Sequence, residues 1–144
     1  MIDDTLYNKA LEIAETFNVS SLRDCVVLYS VSFLPTKENK DNAYEYIKAY
    51  PKSIMIDDTP CGRALNELFG DDADFDDNDK QKTAEVWAVA SKRFIAQASG
   101  NITAFVKGAD PRSVFRRVEL PAILQNPAIK TINGIDKNQF TLSD

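Results

Sequence analysis

The chain has 144 residues, 44% of them hydrophobic and 27% charged, which suits one domain of ordinary size that builds its core without disulfide staples. The net charge of −5 argues against a nucleic-acid binder that relies on a general positive field, and no apolar run approaches the length of a membrane span. There is no histidine, which excludes Ser-His-Asp and Cys-His catalysis and disfavours most zinc sites, so acid–base chemistry must come from carboxylates, hydroxyls or lysine.

Apolar residues Leu6, Ala10, Ile13, Ala14 and Phe17 recur at helical spacing and predict a helix over 3–17. This N-terminus is acidic and amphipathic, unlike a signal peptide. The run CVVLYSV at 25–31 is β-branched and aromatic, and predicts a buried strand that opens on a buried Cys25. A helix follows with Ala43, Tyr46, Ile47 and Tyr50 on one face, ended by Pro51. Ser53 to Asp57 reads as a second short strand. Thr59 then reads as an N-cap, with Pro60 at the first helical position and Gly70 as the stop. Cys61 lies in the turn beside Gly62, with room for exposure. Two cysteines permit one disulfide but no disulfide framework.

Residues 71–79, DDADFDDND, read as an acidic linker. They lack the glycine and closing glutamate of an EF-hand, so a solvated segment or a surface for a basic partner is expected rather than a calcium loop. The longest helix is predicted over 80–99, closed by Gly100, with a third strand over 101–106. A turn at 108–111, a short helix through Arg117, another from near Pro121 and a fourth strand over 128–133 complete the chain. Helices alternating with short apolar strands define the α/β class with a largely parallel four-stranded sheet.

Three groups of residues carry chemistry. Trp87 and Ser91 stand four apart and share one helix face, either as a core tryptophan beside a small residue or as an aromatic plate beside a hydroxyl. Glu119 lies among apolar neighbours, either as a charge at a helix N-terminus or as a site carboxylate. The adjacent Arg116 and Arg117 are either solvated charges or phosphate contacts. The segment IDDTPCGR, 56–63, ends a strand and opens a helix. That is the place for a phosphate group, and equally for an ordinary capped helix with Asp57 and Asp58 as favourable charges.

Together these residues resemble the ADP-ribosyl cyclase / NAD glycohydrolase family. Trp87-Ala88-Val89-Ala90-Ser91-Lys92-Arg93-Phe94 resembles the family's W-x-x-[VA]-S-[RK]-R-F block, and Val118-Glu119-Leu120 its glutamate segment. Ile56-Asp57-Asp58-Thr59 with Gly62 resembles its acidic pair, and Tyr29-Ser30 is a softer match to its W-S. The likeness spans about residues 25–133, after an N-terminal helical part over 1–24. The stretches Thr59–Arg63 and Val118–Ile129 are closer still to small bacterial NADase toxin domains of this family, several of them delivered by type VI secretion.

The resemblance implies an ADP-ribosyl cyclase-like fold and one catalytic domain over 1–144. It implies an NAD(P) glycohydrolase that needs no metal or cofactor, with NAD or NADP as substrate. Glu119, Ser91 and Asp57 would be catalytic. Trp87, Tyr29, Ser30, Thr59, Gly62, Arg63 and Phe115 would bind substrate. It further implies an antibacterial toxin acting in a target cell's cytoplasm after contact-dependent secretion. A cognate immunity protein would be its partner, and neither nucleic acid nor membrane would be one. Asp57 stands where the family has a glutamate that biases cyclisation against hydrolysis, and Tyr29 stands for a tryptophan. Two other readings remain open at this point: a cyclase making cyclic ADP-ribose as a signal, and a non-catalytic α/β interaction module.

Overall fold

Three short parallel strands run through the middle of the computed structural model, which describes residues 2–29, 38–70, 75–106 and 115–140. They are β1 (Val26–Tyr29), β2 (Gly100–Phe105) and β3 (Ile129–Ile132), in the order β1-β2-β3. Val26 pairs with Ile102, and Ile102 with Ile132. A fourth strand, β4 (Ile135–Asp136), returns antiparallel to β3. The α/β class and the mostly parallel four-stranded sheet follow the sequence reading.

Side-chain alternation divides the sheet into two faces. Val26 and Leu28 join the main core with Ile102, Ile129 and Ile132. Helices α1 (Asp4–Thr16), α3 (Pro60–Phe69), α4 (Asp77–Ala96) and α5 (Leu120–Gln125) close that core with Ala10, Leu65, Phe94 and Ile123. Val27 and Tyr29 face the other way, where α2 (Glu38–Ala49) lays Ala43 beside Met55, and Tyr46 stacks on Phe105 at 5.8 Å. Arg93 uses its guanidinium to tether α4 to α1, donating to the Ala14 carbonyl at 2.6 Å.

Several elements differ from expectation. Ser53 to Asp57 is not a strand. Ile54 alone bridges β1, donating to Cys25 and accepting from Val27, and Ile56–Asp58 then wind into a 3₁₀ turn. One ladder position is all that fits before Thr59 must cap α3. The end of the acidic run is not linker either. Asp76 caps α4, and Asp79 is buried, accepting from the Ile2 N–H at 2.8 Å. Acids gather here because a helix N-terminus offers free N–H groups and a positive dipole end. The two cysteines exchange environments: Cys25 is half-buried, whereas Cys61 is fully buried inside α3 with its Sγ on the Ile13 carbonyl. Residues 115–119 wind as a π-helix that continues into α5, in place of two separate helices. Pro121 supplies no N–H to the Arg117 carbonyl and its ring crowds that carbonyl, which a wider winding just upstream accommodates. The turn expected at 108–111 and the start of the short helix after it lie outside the described residues.

Candidate active site

The start of α3 is built to hold Asp57. The Thr59 hydroxyl donates to the Ile56 carbonyl at 2.6 Å and accepts from the Gly62 N–H at 3.0 Å. Any side chain at Gly62 would drive into the Ile56 carbonyl oxygen and sit 2.8 Å from the Asp57 Cα. Glycine is therefore required for close packing of the turn on the helix, not for an unusual φ. Gly62→Ala is expected to lose about 1–3 kcal/mol of stability through overpacking against backbone that cannot yield. A thermal-unfolding midpoint equal to wild type would show that the turn moves freely and that Asp57 is not held from below.

The same bonds bear on one expectation. Thr59 and Gly62 were expected among the substrate contacts, with this helix start as the phosphate cradle. Pro60 has no N–H, and the N–H groups of Cys61, Gly62 and Arg63 are all given to acceptors within the chain, on Asn18, Thr59 Oγ1 and the Thr59 carbonyl. No N–H of the first turn remains for a phosphate. Thr59 and Gly62 are buried supports of Asp57, and Arg63 is exposed.

Glu119 closes the π-helix, a winding that often marks functional positions. Glu119 is 6% exposed, and burial together with the charge of Asp57 pushes its pKa up to about 8. Asp57 is itself raised, by burial first and then by Asp58, with Lys40 opposing. Tyr29, at the C-terminal end of β1, is raised by burial, Asp57, Tyr44 and Glu119, and stays a neutral phenol. The chain thus brings Asp57, Glu119 and Tyr29 into one electrostatic neighbourhood from three separate elements. The charge of Asp57 beside the buried Glu119 raises the Glu119 pKa, and such a pair makes a place for a positive charge.

Helix α4 packs against both the Asp57 turn and the π-helix. Trp87 is half-buried at the edge of the main core, and Ser91, one turn on, is 3% exposed. Arg117 is exposed and shares a shallow groove with Lys80, Gln81 and Ala84, on the N-terminal continuation of the Trp87 and Ser91 stripe. Ser30 and the side chain of Phe115 lie outside the described residues.

Two residues at this site were not expected from the sequence. Tyr44 of α2 is raised by burial and by Asp57 and Asp58, and Lys40 lies one turn before it with its ammonium 6.0 Å from the Tyr44 ring centre. Their i, i+4 spacing was a signal, but it becomes visible only once α2 is extended back to Glu38.

The chain matches no protein-family model and no curated protein. Its fold is that of the ADP-ribosyl cyclases, as comparison with solved structures shows. The Aplysia cyclase, solved with substrate NGD and product cGDPR, is 20% identical and superimposes with a TM-score of 0.57 over 91% of this chain and 63% of its own. CD38, in a structure described as a conformationally flexible covalent enzyme–substrate complex, gives 18% identity and a TM-score of 0.60 over 91% of this chain and 65% of its own. Porcine CD38 with a covalent intermediate gives 19% and 0.54, over 90% and 70%. The chain therefore spans less than two thirds of the length of the cyclase.

Proposed function

We propose that this chain is an NAD(P) glycohydrolase that cleaves the nicotinamide–ribose bond to give ADP-ribose and nicotinamide. The observation that carries the reading is the buried Glu119, within reach of the charge of Asp57, on a cyclase fold. Two neighbouring carboxylates, one of them buried, favour a cation. The substrate supplies one twice, first as the nicotinamidium ring and then as the oxocarbenium ion that forms when the C–N bond breaks. Such a charge is stabilised more in the transition state than in water.

In this mechanism Trp87 gives its π-face to the cationic ring. The C–N electron pair leaves with nicotinamide, which departs neutral, so no strong acid is required. Glu119, which gives up its proton to solvent as the cation enters, faces the developing charge and holds the ribose hydroxyls. Ser91 lies near the anomeric carbon and steadies the intermediate. Water adds its oxygen there and releases a proton. Asp57 contacts the nicotinamide amide or governs the approach of water. Action as an NAD-depleting toxin in a target cell's cytoplasm, restrained by a cognate immunity protein, rests on the resemblance to bacterial NADase domains and is proposed with it.

Chromatography of NAD incubated with the purified protein tests the reaction. ADP-ribose and nicotinamide in equal amounts are expected. A cyclic product would transfer the proposal to a signalling cyclase. If neither NAD nor NADP were consumed by a folded sample, and neither raised its melting temperature, the chain would be a non-catalytic module.

A further inference from the structure

The acid cluster raises a problem for the proposed substrate. A dinucleotide brings a cationic ring and a doubly negative diphosphate. Asp57, Asp58 and Glu119 suit the first and repel the second. The start of α3 cannot take the diphosphate, since its N–H groups are already bonded within the chain.

The other side of the site can. Helix α2 follows β1 in the chain and packs on it, with Ala43 in one cluster with Met55, two residues before Asp57, and with Tyr29, where β1 ends. The carboxyl ends of parallel strands are where α/β sheets receive ligands. Lys40, one turn before Tyr44 on this helix, is exposed and held loosely over the Tyr44 ring at 6.0 Å, while Tyr44 is 39% exposed. The Lys40 charge reaches Asp57, which it eases toward ionisation. A four-carbon stem lets such an ammonium leave a ring for a phosphate without moving the helix.

We propose that Lys40 of α2 receives the diphosphate of the dinucleotide, with Tyr44 as the aromatic wall beside it. The inference deepens the glycohydrolase reading and rests on it. Binding the diphosphate would also draw the ammonium away from Asp57 as the cationic ring enters, so the two ends of the substrate are recognised together.

Comparing NAD with nicotinamide riboside, which has the same scissile bond and no phosphate, tests the proposal. The preference for NAD in kcat/KM should fall about tenfold in Lys40→Ala, mostly through KM, and Lys40→Arg should restore most of it. Inorganic pyrophosphate should inhibit wild-type riboside cleavage competitively and inhibit Lys40→Ala more weakly. An unchanged preference, or equal loss toward both substrates, would overturn the assignment, the latter because Lys40 would then act only through Asp57. Hydrolysis of NAD by wild type with no change in Lys40→Ala would refute this inference while leaving the glycohydrolase reading intact. Absence of turnover by wild type would remove both.

Discussion

Glu119→Gln is expected to keep the fold and lose NAD turnover by roughly a hundredfold, the size of about 2–3 kcal/mol of transition-state stabilisation. Glutamine fills the same volume and keeps one acceptor, so the buried site stays packed. What goes is the negative charge facing the ribose as the C–N bond breaks. The loss should fall on kcat more than KM, because in the proposed mechanism Trp87 still takes the ring and the diphosphate keeps its own contacts. The pH dependence gives a second readout. In the free protein Glu119 is held up to about 8, so kcat/KM for wild type should rise with pH until that region and then level. Asp57 and Tyr29 interact with Glu119 directly, and Lys40, Asp58 and Tyr44 act through these two, but none replaces the lost carboxylate. Wild-type turnover in the glutamine variant would sink the mechanism.

Much of the fold could be read from local chemistry, since periodicity and turn residues are local. Thr59 and Pro60 announced α3, and CVVLY announced β1. The failures share a cause. Ser53 to Asp57 has the composition of a strand, but the sheet grants it one bridge before the Thr59 cap claims the chain. Asp79 looked like linker because its partner, the Ile2 N–H, is 77 residues away. β4 had a local signal that went unread: Asn133 and Gly134 both adopt positive φ, as a two-residue hairpin turn demands.

The site divides in the same way. Trp87 and Ser91 could be paired from spacing alone, because four residues on a helix is a fixed geometry. That the charge of Asp57 reaches Glu119 could not be derived from spacing, since the two are brought together through tertiary packing on α4. Resemblance suggested the pair, and the buried electrostatics give it a physical reason. Thr59 and Gly62 show the opposite case. A capped helix start with glycine looks like a phosphate site until its N–H groups are followed to their acceptors.

The buried carboxyl group has a second consequence, for stability. In the unfolded chain Glu119 releases its proton near 4.5, and in the folded protein only near about 8. Between those values the folded state holds more protons than the unfolded state, so stability falls as pH rises. Below 4.5 both states are protonated and the group contributes no difference; above about 8 both are ionised and its full cost is present. At 1.36 kcal/mol for each tenfold change, that cost is on the order of 4–5 kcal/mol, a large part of the stability of a small domain. Asp57 is raised as well and adds to the decline. Glu119→Gln carries no such charge at any pH. The variant should therefore be more stable than wild type at pH 8.5, and the gap should shrink steadily toward pH 5. Urea unfolding of both proteins across that range checks the result. A parallel pair of curves, with no narrowing toward acid, would mean that Glu119 ionises at its ordinary pH and is not held in a dry pocket. The expected crossing of properties, with the inactive variant the sturdier one at alkaline pH, is what a carboxylate kept for a cation rather than for the fold should produce.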